Sequence, residues 1–121
     1  MRTAAQEIGV DAEDLVARRL RAAGWTILGR NVRVGRAEID ILALDDAGGA
    51  VVAVEVRCRR RRDYGLPEET VSRAKLDRLR AAVLTLRHQE PERLPVPRLP
   101  VRVDIVAVEP DGRVRHHRAV G

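Results

Sequence analysis

The sequence predicts an α/β fold: a helix, three strands, a second helix and two further strands sharing one mixed sheet. Three observations predict it. Apolar residues recur with helical spacing in two stretches, near residues 12–23 and 71–86. Between them, runs rich in β-branched and aliphatic residues flank clusters of Gly and Asp, the punctuation of hairpins. Another such run, Val101 to Glu109, follows a proline-rich connector. With 121 residues, 45% of them hydrophobic and 34% charged, the chain is expected to form one domain over residues 1–121 around a single core.

The elements follow in order. Residues 1–9 are polar and expected to be loose. Asp11 suits a helix N-cap, with Ala12, Leu15, Val16, Arg19 and Leu20 at helical spacing behind it and Gly24 as the stop. Glu13 would then sit in the first turn, where the helix dipole favours an acid. Trp25 to Arg33 alternates as a strand with Gly29 as a bulge, and Val34-Gly35-Arg36 turns the chain back. Two strands, Ala37 to Leu44 and Ala50 to Arg57, are joined through the Gly48-Gly49 break. Pro67 fits a helix start, with Glu68 and Glu69 in the first turn and the helix running to about His88. Gln89 to Pro100 connects to the strand Val101–Glu109, Pro110-Asp111-Gly112 turns, and Arg113 to Ala119 closes the sheet. Arg102 and Asp104 share one strand face and read as an ion pair at the sheet edge.

The central hairpin holds a contradiction. Its strands are apolar enough to lie mid-sheet, yet they carry Glu38, Asp40 and Glu55. An unpaired carboxylate buried there would cost several kcal/mol or shift its pKa. Alternation puts Glu38 and Asp40 on one face, and Glu55 and Arg57 on one face of the next strand. A hairpin closing on Ala47-Gly48 sets Asp40 opposite Glu55 and Glu38 opposite Arg57, whereas a slip by one residue would separate the acids. Two convergent carboxylates suit Mg²⁺, which takes one or two and completes its octahedron with water and phosphate oxygens.

Charge points to a partner. Lys+Arg number 23 against 18 Asp+Glu, a net +5, which favours an acidic partner and most simply nucleic acid. Arg59-Arg60-Arg61-Arg62, just past Arg57, would extend a phosphate-binding track from the acids. With no Phe, one Trp and one Tyr, the chain lacks a base-stacking platform, so it would hold nucleic acid through phosphates. Lys75 is the single lysine among these 23 basic residues; a specific role and chance stand equal. Cys58, the lone cysteine, reads as a small buried residue and excludes an internal disulfide. One Cys and three His do not make a zinc site. No apolar run suggests a membrane span or signal peptide, and a cytoplasmic setting is expected.

The ordered set of residues resembles a known family. Gly9, Ala12-Glu13, Asn31, Ala37-Glu38-Ile39-Asp40, Val54-Glu55-Val56-Arg57, Tyr64-Gly65, Lys75 and Arg102-Val103-Asp104 are similar to the pattern of the YraN-like family of small bacterial proteins. That family is a branch of the restriction-endonuclease-like PD-(D/E)xK superfamily, related in fold to archaeal Holliday-junction resolvases. The resemblance implies an αβββαβ core, here with one extra C-terminal strand. It implies Asp40, Glu55 and the Val56 carbonyl as ligands of Mg²⁺ or Mn²⁺, with Glu13 near the metal or its water. Arg57 stands where most active nucleases of the superfamily have lysine, and Ala37 where the family commonly has Gly. Arginine stays protonated, so it can orient phosphate but not take a proton. Glu38 or Glu13 would accept the proton, and Lys75 would replace the missing ammonium if its tip reaches the site. The implied partner is branched or structured DNA, with a homodimer as in junction-cleaving relatives. Two functions follow: a metal-dependent nuclease, or a DNA-binding module of the same fold without turnover.

Overall fold

The computed structural model describes residues 4–58, 71–94 and 98–118, with side chains from Ala12 onward. Its elements are α1 (Ala4–Ala22), β1 (Thr26–Val34), β2 (Ala37–Leu44), β3 (Val51–Cys58), α2 (Arg73–Gln89), β4 (Val101–Val108) and β5 (Val114–His117). The strands form one sheet in the order β1-β2-β3-β4-β5. Neighbours are antiparallel except β3 and β4, which run parallel because α2 and the connector carry the chain back between them. The mixed sheet, the αβββαβ core and the extra C-terminal strand are therefore as the sequence predicts.

Two apolar layers result from strand alternation. Leu42, Val51, Ala53, Val103 and Ile105 pack with Leu76, Leu79, Val83 and Leu86 of α2. Ile41, Ala43, Val52, Val54, Val106 and Val108 pack on the opposite face with Ala12, Val16, Ala17 and Leu20 of α1 and with Trp25. The middle of the sheet is thus covered on both sides, which is why its strands read as nearly continuous apolar runs.

Turn chemistry sets the registers. Val34 pairs with Ala37 across a two-residue turn in which Gly35 takes φ 60°, the positive value that the first central position of such a hairpin demands. β1 gains one residue on β2 between Ile27 and Gly29, the expected bulge. In the central hairpin Asp45 N–H donates to the Ala50 carbonyl at 3.2 Å, and Gly48, at φ 67°, closes the loop. The ladder then runs from Leu44 opposite Val51 to Ile41 opposite Val54, the register that sets Asp40 across from Glu55.

Four expectations need correction. α1 begins at Ala4, so residues 4–9 are helical rather than loose. Ala4, Ala5, Gln6 and Glu7 are good helix formers, and Asp11 lies within the helix instead of capping it. Glu13 is accordingly well inside the helix, and a first-turn dipole role lapses. α2 begins at Arg73, not Pro67: Ser72 is extended, and its Oγ accepts from Lys75 N–H at 3.1 Å as an N-cap. Val71, expected within the helix, precedes it and is buried in the α2-side core. Cys58 is exposed, being the last residue of β3 and beyond the apolar layer.

The fourth correction concerns β4. Arg102 and Asp104 do form an ion pair, but β5 covers β4, so Asp104 is fully buried rather than at an edge. Arg102 donates to both Asp104 oxygens, from Nε at 2.8 Å and Nη2 at 3.1 Å, and from Nη1 to Asp45 at 3.1 Å. His116 Nε2 lies 2.8 Å from Asp104 Oδ2. The Arg102 and Arg118 guanidinium carbons sit 5.7 and 5.4 Å from the Trp25 ring centre. This cluster ties the ends of β2, β4 and β5 to the α1–β1 turn. Leu94, in the connector, is a further buried residue that no periodicity announced.

Candidate metal centre and its cleft

Beyond Ile41 and Val54 the side chain of Asp40 takes over from the ladder: its Oδ2 accepts from the Val56 N–H at 2.9 Å. By strand alternation Asp40 follows Leu42, and Glu55 follows Ala53, onto the α2 face. Asp40 and Glu55 line the same cleft, which has a volume of about 850 Å³. The acids therefore meet on one side of the sheet. That side is the one α2 covers.

α2 contributes the decisive contact. Ser72 caps the helix, and Lys75, in its first turn, places Nζ 2.7 Å from Glu55 Oε1. The Glu55 carboxylate is 6% exposed, whereas the lysine side chain is 38% exposed. Arg57 Nη1 lies further off, 3.9 Å from the same oxygen. The only lysine of the chain thus sits closer to the acid than the arginine two residues away from it.

Electrostatics follow from crowding. Burial first, then the Glu55 charge, push the Asp40 carboxyl up to about 7, against the pull of the Val56 N–H and the Lys75 ammonium. Glu13, half-buried on α1, is also raised: burial dominates, Arg30 opposes it, and Glu38, Asp14 and Glu55 add to it. Glu13 is within electrostatic range of Asp40 and Glu55, although among the described residues no three acid, His or Cys side chains gather as a ligand group. Glu38 lines the cleft and pairs with Arg33 at 3.7 Å across β1. Arg59, Arg60, Arg61 and Arg62 lie outside the described residues, as do Tyr64, Gly65 and Pro67.

The donor set fits Mg²⁺. Two carboxylates of an all-oxygen set converge, and a third oxygen is available nearby. Val56 turns its N–H toward β2, and a strand residue directs its carbonyl to the same side as its N–H, so that oxygen faces Asp40 as well. Lys75 Nζ pairs with one of the Glu55 oxygens and would compete with a metal for it. Two residues that sequence reasoning did not single out, Arg36 and Arg78, also line the cleft. Their signal was positional: Arg36 is at the hairpin tip, and Arg78 is one turn beyond Lys75 on α2.

A family profile described as uncharacterised protein family UPF0102 matches residues 12–108. The chain belongs to the UPF0102 family. This is the YraN-like family that the ordered residues resemble. A UPF0102 protein of Symbiobacterium thermophilum is 45% identical over 115 residues, covering 91% of this chain and 90% of the relative. One from an Arthrobacter species is 41% identical over 118 residues, covering 94% and 95%. Among solved structures, that of Pyrococcus furiosus SfsA in complex with Ca²⁺ aligns with 93% of this chain and 62% of its own. Its TM-score of 0.32 and identity of 17% are too low to carry a functional argument.

Proposed function

We propose that this UPF0102 protein is a Mg²⁺- or Mn²⁺-dependent nuclease hydrolysing phosphodiesters in branched or otherwise structured DNA. One observation carries the reading: Asp40 and Glu55 line one cleft, with the sole lysine's ammonium 2.7 Å from Glu55. The Asp40 and Glu55 carboxylates and the Val56 carbonyl would hold the metal. When bound, it would neutralise phosphate charge and make water more acidic.

The chain's own groups do the rest. Lys75 donates to a phosphate oxygen, supplying from α2 the ammonium that the resembling nucleases carry at the position of Arg57. Arg57, permanently protonated, orients the phosphate and offsets charge that develops in the transition state. Glu38, in the cleft, or Glu13, whose raised pKa makes it a better base than an ordinary glutamate, accepts the proton of the attacking water. Arg59 to Arg62 would continue the phosphate track. The test is incubation with junction, flap and linear DNA in Mg²⁺ or Mn²⁺ beside Asp40→Asn and Glu55→Gln. Cleavage that persists in both variants would refute it.

A second reading has its own support. Lys75 already neutralises Glu55, and Arg57 cannot act as a base, which suits a DNA-binding module without turnover. Such a module predicts affinity that falls steeply with salt and ignores divalent metal. A saturable Mg²⁺ site that controls DNA binding would count against it.

A further inference from the structure

The shape of the cleft narrows what can enter it. One wall is the β1–β2 hairpin from Val34 to Glu38, and the other is α2 from Lys75 to Gln89. That stretch of helix spans about 21 Å at 1.5 Å per residue. Spread along it, the cleft is a half-open groove on the order of 10 Å across. The major groove of a duplex alone is about 12 Å wide. A whole duplex, broader than its own major groove, does not seat between these walls, whereas one sugar-phosphate strand does.

Arg36 and Arg78 line the channel from opposite walls, and both are exposed. Neither makes an ion pair or side-chain hydrogen bond among the described residues. Their arginine neighbours are tied down: Arg33 to Glu38, Arg73 to Asp77, Arg80 to the Val101 carbonyl and Arg87 to the Leu99 carbonyl. Two uncommitted guanidiniums facing one narrow channel are what a phosphate backbone requires. The lining between them is small and aliphatic, with Ala37, Leu79, Ala81 and Ala82. Among the described residues no aromatic ring lies there, and Trp25 is buried in the core on the other face of the sheet.

We infer that this channel holds a single-stranded segment of DNA by its backbone, Arg36 and Arg78 each taking a phosphate next to the one presented to Asp40 and Glu55. The inference rests on the nuclease reading and narrows its substrates. Flaps, gaps and unpaired arms enter, and a fully paired blunt end does not. Because the two arginines take phosphates and not base edges, binding is indifferent to sequence and strongly dependent on salt.

The experiment is fluorescence anisotropy with the whole protein in EDTA, which prevents cleavage. The probes are a mixed-sequence single strand of about 12 nucleotides and a blunt hairpin duplex of the same sequence. The single strand should bind at least roughly tenfold tighter than the duplex. Arg36→Ala and Arg78→Ala should each lower its affinity several-fold and reduce the slope of log K against log salt by about 0.7, the value for one phosphate on a single strand. Arg36→Lys and Arg78→Lys should keep that slope. None of these variants should change the thermal midpoint or its shift with Mg²⁺. Equal affinity for the duplex, or unchanged salt slopes in the alanine variants, would overturn the inference. If either occurs while Asp40-dependent cleavage persists, only the channel assignment falls. If the protein neither binds nor cleaves any of these DNAs, the nuclease reading falls with it.

Discussion

Replacing Asp40 with Asn should stabilise the metal-free protein, and by an amount that grows with pH. Asp40 is buried and crowded by Glu55, so its carboxyl rises from its ordinary value of 3.8 to about 7. Between those values the native state holds a proton that the unfolded chain has lost, so native stability falls as pH rises through that window. Above about pH 7 the full cost is in force, roughly 4 kcal/mol at 1.36 kcal/mol per pKa unit. Between pH 5 and pH 8 the loss is about 2–3 kcal/mol, the rest having accrued below pH 5. Asparagine removes the charge, keeps the shape, and retains an oxygen that can accept from the Val56 N–H. Urea denaturation at pH 5 and pH 8 without divalent ions should therefore show Asp40→Asn gaining on wild type by about 2–3 kcal/mol across that interval. Mg²⁺ at pH 8 should raise wild-type stability, by about 2.7 kcal/mol at a hundredfold excess over its Kd, and leave the variant unmoved. A gap that stays flat with pH, or a variant weaker than wild type at pH 8, would refute the reasoning, because the charge of Asp40 would then be compensated.

Lys75→Met should tighten Mg²⁺ binding, measured by calorimetry, while abolishing cleavage, because it removes a cation that competes for Glu55 and also the group offered to the phosphate. Its stability cost should be modest, about 1–2 kcal/mol by urea denaturation, since the ammonium is partly solvated and Arg57 stands near the same oxygen. Asp104→Ala should cost about 3–5 kcal/mol in the same assay, leaving Arg102 and His116 without their buried acceptor. Ser72→Ala should cost about 1 kcal/mol by removing the N-cap of α2, and should lower any cleavage rate by loosening the turn that carries Lys75.

Local rules were enough for much of this fold. Strand alternation placed Asp40 with Glu38 and Glu55 with Arg57, and the Asp-Gly loop centred on Ala47-Gly48 set the register that brings Asp40 opposite Glu55. A slip by one residue would have put the two acids on opposite faces of the sheet. Helix termini were less legible. Good formers upstream extended α1 past Asp11, and the Ser72 cap overrode the Pro67 signal. Both outcomes turn on small energies that neighbouring contacts decide.

What the chain order alone determined is therefore the sequence of elements, the register of the central hairpin and the pairing of two acids on one sheet face, because turns and alternation act over a few residues. Only the packed structure decided which helix lies over those acids. It brought Lys75 to Glu55 across twenty positions, opened a cleft between α2 and the hairpin, and buried Asp104 beneath β5. Those distances arise when separate apolar faces find their layers, and no local pattern carries information about which faces will meet.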